Sequence, residues 1–185
     1  MEPTRLPARN STPAPLDRLN QAGTEAAEAV LLACCGSHRW ARRMAECRPY
    51  PDPEALLAAA EEAGYDLTPA DRAEALAAEA TREGDAAELP GAVAGGPVAV
   101  AARTALSAAR AAYESRFGHA FVVCLDELPP SQRLDGMLAA LRDRLGNDTD
   151  EERAVTAEEL RRLARGRLLR LVVRDVTVRS PSVPD

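Results

Sequence analysis

The stretch Tyr113-Glu114-Ser115-Arg116-Phe117-Gly118-His119-Ala120-Phe121-Val122-Val123-Cys124 constrains the fold more than any other. An Ala-rich run from Ala99 to Arg116 leads into it and reads as one long helix. Gly118 marks the end of that helix, because glycine takes the left-handed conformation of a helix stop at little cost. The apolar run Phe121 to Cys124 leaves the glycine; it is strand-like in composition but short. Both phenylalanines of the chain lie here, which makes the stretch a core segment.

With so few aromatic side chains (3%) in a chain that is 46% hydrophobic, Ala, Leu and Val must fill the core. Ala and Leu are strong helix formers, so this composition favours closely packed helices over a sheet. The length of 185 residues suits one domain. A net charge of −6 argues against non-specific nucleic-acid binding, which depends on clustered cations. Every basic side chain is Arg, so lysine-dependent Schiff-base chemistry is excluded. Cys34, Cys35, Cys47 and Cys124 show no C-x-x-C spacing, with only His38 and His119 to assist them, so no metal is expected. Neither a signal peptide nor an apolar run of the roughly 20 residues that span a bilayer is apparent, which points to a cytoplasmic protein with reduced thiols and no membrane contact.

Start and stop signals divide the rest into helices. Residues 1–15 read as a flexible tail and residues 175–185 as another, flanking a single domain over 16–174. A short helix is expected over Leu16 to Gln21, then one capped by Thr24 and stopped by Gly36. Ser37 caps the next, which runs from Arg39 to Cys47 with Trp40 and Met44 facing inward together. After the loop Arg48-Pro49-Tyr50-Pro51, Asp52-Pro53 starts a helix to Glu62, and Thr68-Pro69 starts another to about Ala80. Gly84 to Pro97 reads as a long loop. Pro129-Pro130-Ser131 opens a helix with the stripe Leu134, Met137, Leu138, Leu141 and Leu145, and a final helix runs from Thr149 or Asp150 to about Arg174. The fold class is therefore all-α, a multi-helix bundle.

In the final helix, Leu160, Leu163, Ala164 and Leu171 define an inward stripe, and Arg167 falls in its middle. A guanidinium on an apolar face must be paired, or it grips an anion with its planar fork. Glu79, near the expected end of its helix and beside Arg82, Glu83 and Asp85, reads first as a solvated surface glutamate. His119 reads first as a favourable contact with a helix C-terminus, and as a ligand contact second.

A helix ending in Tyr-x-x-Arg-Phe-Gly before Phe-Val-Val resembles the 2-oxo-4-hydroxy-4-carboxy-5-ureidoimidazoline (OHCU) decarboxylase family of urate breakdown. Cys34-Cys35 before Trp40, Arg48-Pro49-Tyr50-Pro51, Leu67-Thr68-Pro69-Ala70-Asp71, Arg144-Leu145-Gly146-Asn147-Asp148 and Glu159-Leu160-Arg161-Arg162-Leu163 match in order and spacing. The resemblance implies the family's all-α fold, a homodimer, and cofactor-free decarboxylation of OHCU to S-allantoin. It also implies a small anionic ureide-like ligand held by Arg167, with Phe121 and Val122 beside it; His119, which is not at the family's His position, is a further candidate contact. The family's catalytic His and Glu are replaced: the His position falls on Glu79 and the Glu-Gln pair on Ala92-Val93. Glu79 is then the candidate acid, since a carboxyl can deliver the proton that decarboxylation requires. Three functions follow from this sequence: the family reaction with relocated groups, a non-catalytic paralogue that binds a ligand or partner, and an enzyme for a different anionic substrate.

Overall fold

The computed structural model describes residues 13–87 and 97–173, with helices and no strand among them. In order these are α1 (Pro15–Gln21), α2 (Thr24–Cys35), α3 (His38–Glu46), α4 (Pro53–Tyr65), α5 (Pro69–Ala87), α6 (Pro97–Phe117), α7 (Arg133–Arg144) and α8 (Thr149–Val173), with a 3-10 turn at Pro130–Gln132. Of the expected tails at 1–15 and 175–185, residues 1–12 and 175–185 lie outside the described residues, and Pro15 already opens α1.

Local chemistry sets most boundaries. The Ser37 hydroxyl accepts from the Trp40 N–H and the Asp52 carboxylate from the Ala55 N–H, so both cap helices as expected. Thr68 and Asp71 cap α5 reciprocally: the Asp71 N–H donates to the Thr68 hydroxyl at 3.2 Å, and Asp71 accepts the Thr68 N–H at 2.9 Å. Gly36 and Gly118 end α2 and α6 at φ of 78° and 75°. Three expectations are corrected. The N-cap of α2 is Gly23, with Thr24 the first helical residue. Helix α4 continues past Glu62 to Tyr65. Helix α5 continues past Ala80 to Ala87, because nothing in Thr81-Arg82-Glu83 breaks a helix and Gly84 alone costs only about 1 kcal/mol. The start of the expected 84–97 loop is therefore helical, and residues 88–96 lie outside the described residues.

The main core packs α1 to α5 against α8. Leu31, Trp40, Met44, Leu56 and Leu168 are fully enclosed in it. A smaller core joins α6 and α7 through Tyr113, Phe121 and Leu141. Of the expected stripe on α7 only Leu141 is fully buried, since that helix packs chiefly on α6 at the periphery.

The apolar run after Gly118 threads between the two cores. Successive side chains of an extended segment point to opposite sides. Accordingly Phe121 packs in the smaller core and its neighbour Val122 in the main one. This accounts for a strand-like composition without a sheet: helices cover both faces of the segment.

Candidate active site

Helix α5 carries Glu79 inward and α8 carries Arg167 toward it. Glu79 is only 5% exposed, which corrects the reading of a solvated surface residue. The extension of α5 to Ala87 places Glu79 well inside the helix rather than at its end. Arg167 Nη1 and Nη2 meet the two oxygens of Glu79 at 2.6 and 2.7 Å, a bidentate fork. Arg82, one turn along α5, also donates to Glu79 Oε1.

Both guanidinium groups reach the C-terminus of α2 as well. Arg167 Nη1 donates to the Cys34 carbonyl at 3.0 Å; Arg82 Nη2 donates to the carbonyls of Ala33 and Leu32 at 3.0 and 3.3 Å. The Ala33 and Cys34 carbonyls are among those that a helix end leaves without an intrahelical partner, whereas that of Leu32 also accepts the Gly36 N–H at 2.7 Å. The helix terminus, equivalent to roughly −0.5 charge, offsets part of the positive charge that one carboxylate leaves unbalanced. Gly36 permits the approach of the two helices, because a Cβ there would stand 2.7 Å from that of Ala78 on α5.

The hydrogen bonds to Glu79 are the main influence on Arg167, holding its guanidinium protonated beyond the ordinary value against the opposing effect of burial. Burial pushes the Cys34 thiol up and drives that of Cys35 to about 12. Burial thus favours the thiol form of both sulfurs beside the ion pair, the less nucleophilic form.

A second buried polar cluster fixes the segment between the cores. Arg144, at the end of α7, donates to Glu152 Oε1 at 3.0 Å through Nε and at 2.5 Å through Nη2. Its Nη1 donates to the Val122 carbonyl at 2.5 Å, and the Tyr113 hydroxyl donates to the same Glu152 oxygen. The guanidinium also lies 4.6 Å from the Phe121 ring centre. Desolvation, the largest single influence on Glu152, raises its pKa, but the hydrogen bonds from Arg144, Tyr113 and Asn147 together outweigh it and hold the carboxyl below its ordinary value. Two residues further along, the Cys124 N–H donates to Glu159 Oε2 at 2.6 Å. Side chains of α7 and α8 thus supply partners that a neighbouring strand would otherwise give.

Glu79 and Arg167 are therefore brought together, while Phe121 and Val122 spend their side chains on the two cores. His119 lines a groove of about 370 Å³ on the next stripe of α5, with Leu76, Ala77 and Ala80. A larger groove of about 590 Å³ runs between α4 and α8 and is lined by charges of both signs. Ala92 and Val93 lie outside the described residues. Among the described residues no cluster of His, Cys, Asp and Glu is arranged to hold a metal, and no helix is long and apolar enough to cross a membrane.

The all-α fold thus sets Arg167 of α8 against Glu79 in the body of α5. The OHCU decarboxylase family model matches residues 20–169, and the chain belongs to that family. Among solved structures, the crystal structure of (S)-allantoin synthase is similar, with a TM-score of 0.64 at 18% identity, covering 86% of this chain. This chain spans about half of that protein (54%), and the likeness is one of fold. No curated protein matches by sequence.

Proposed function

We propose that the Glu79–Arg167 centre handles a small anionic ureide, and that the reaction is cofactor-free decarboxylation of OHCU to (S)-allantoin. One observation supports this reading above others. At the two positions where the family resemblance puts a catalytic histidine and a substrate-binding arginine, this chain has a glutamate and an arginine in direct bidentate contact. The fork already holds a carboxylate in the geometry that a substrate carboxylate would take. On entry the substrate replaces Glu79 on Arg167, and Arg82 keeps Glu79 paired through the exchange. Loss of CO2 breaks a carbon–carbon bond and leaves its electron pair on the ring carbon. Glu79 passes to that carbon, from one face, a proton that it takes up from solvent. Glu79→Gln and Arg167→Ala are each expected to lower kcat/KM by about 100-fold or more while the circular dichroism of the fold is retained. Full activity in both variants would end the reading.

A second reading is supported by the carbonyl contacts of the same arginines. Because Arg82 and Arg167 also terminate α2, the trio has a complete structural role without substrate. On this reading the chain is a binding paralogue, and saturable ligand or partner binding should survive both substitutions. In either case we propose a cytoplasmic homodimer. Sedimentation equilibrium should return twice 19.7 kDa, and a monomer mass would contradict this.

A further inference from the structure

We infer that the groove between α5, the Gly118–Ala120 turn and α8 is a second anion site, separate from Arg167, which takes a small flat carboxylate. The protein is acidic overall, with a net charge of −6. Yet this groove is lined by Arg72, Arg153 and His119, and by no carboxylate. The larger groove, by contrast, sets Glu61, Asp126, Glu127 and Glu158 against its arginines. Leu76, Ala77 and Ala80 give the basic groove an apolar floor, and about 370 Å³ lies at the low end of the roughly 300–1,000 Å³ of small-ligand cavities.

Arg72, Arg153 and His119 each have hydrogen-bonding capacity left for a ligand. Arg72 uses Nη1 on the Leu67 carbonyl at 2.6 Å, a bond that anchors the guanidinium and leaves other donors of the fork. Arg153 meets Asp150 at 2.6 Å, but both side chains are largely exposed (67% and 89%), so the pair is screened and readily exchanged. His119 Nδ1 lies 3.0 Å from the Ala120 carbonyl. A carbonyl only accepts, so Nδ1 carries the hydrogen, and Nε2 is left to accept an N–H of the ligand's ring. The His119 ring is itself held edge-on to Tyr113 at 5.5 Å between centres. Cations at the rim and aliphatic carbon beneath them suit a carboxylate carried on a planar ring. The site is separate from the decarboxylation, since neither Glu79 nor Arg167 lines this groove and Glu79 lies on a different stripe of α5 from Leu76 and Ala80.

Calorimetric titration of the full chain with orotate, a planar ring bearing a carboxylate, tests the assignment, with uracil as the same ring without it. Orotate should bind saturably, uracil about tenfold more weakly or less, and affinity should fall as salt rises. The Arg72→Gln/Arg153→Gln pair should weaken orotate about tenfold or more, and Arg153→Gln alone, at an exposed position, about threefold. Arg167→Gln should change it less than about twofold. Folded wild-type protein that does not bind orotate would overturn the proposal. So would binding insensitive to Arg153, or binding lost with Arg167→Gln. Because the readout is binding, absence of turnover leaves the assignment standing, and turnover without orotate binding refutes the groove alone.

Discussion

Glu79 has two guanidinium partners whereas Arg167 has one carboxylate, so removing them is not equivalent. Arg167→Met leaves Glu79 paired with Arg82. Glu79→Leu leaves two guanidinium groups facing each other with no counter-ion. Urea melts should show a loss of about 3 kcal/mol or more for Glu79→Leu and a smaller loss for Arg167→Met, because breaking a buried pair strands the remaining charge. Equal losses would mean that Arg82 does not share the carboxylate. A second position depends on steric room rather than charge. A Cβ at Gly166 would meet Asp126 Oδ2, the oxygen that pairs with Arg170 at 2.7 Å. Asp126 can swing aside at the loss of its exposed pair with Arg170, about 0–1 kcal/mol, which offsets the gain of Ala over Gly, so Gly166→Ala should be near neutral in the wild type. In an Asp126→Ala background the same change should stabilise by roughly 0.5–1 kcal/mol, since Ala is the better helix former. Equal effects in the two backgrounds would show that Asp126 does not fill that space.

Among the elements, the extended segment between the cores depends on Arg144 and Glu152. Arg144→Met strands a Glu152 that is 1% exposed and releases the Val122 carbonyl, so a loss of about 3–5 kcal/mol is expected. The acid limb of stability carries the same signature. Glu152 is held below its ordinary 4.5, so its contribution is complete above about pH 4.5 and disappears as pH falls through the depressed folded value. The stability gap between wild type and Glu152→Gln should narrow below pH 4.5; a constant gap would show that the carboxylate is not held in this way. Helix starts and stops were legible because Ser37, Asp52-Pro53, Thr68-Pro69, Gly36 and Gly118 act on their own neighbours. The inward position of Arg167 was legible from the period of α8. Its partner was not: the end of α5 is set by no local breaker, and the burial of Glu79 follows from its meeting with α8, 88 residues away. The burial of Arg144, seen in the sequence only within a family-like run, and that of Glu152 were hidden for a related reason, since each lies among charged neighbours and only packing shows which charges are enclosed.

For the whole molecule, the buried acids that stay neutral set the alkaline limit. Cys35 rises from 9.0 to about 12, chiefly by burial, and Tyr113 from 10.0 to about 12, by burial and then by its bond to Glu152. A raised folded value contributes stability that is complete below the unfolded value and is lost as pH climbs toward the folded one. Stability should therefore decline between about pH 9 and 12, and Cys35→Ala should flatten the first part of that decline in melts run at successive pH values. An unchanged slope would place the alkaline limit elsewhere.

On the proposed function, a family member with glutamate in place of the histidine still carries out chemistry on a ureide. OHCU generated from urate in the cuvette decays spontaneously, and circular dichroism follows the S-allantoin that an enzyme forms. Added wild-type protein is expected to bring up the S-allantoin signal faster than the background, with the gain abolished in Glu79→Gln. A trace that matches the background, from protein whose helical spectrum is intact, would contradict the account and leave the ion pair as a terminus for α2.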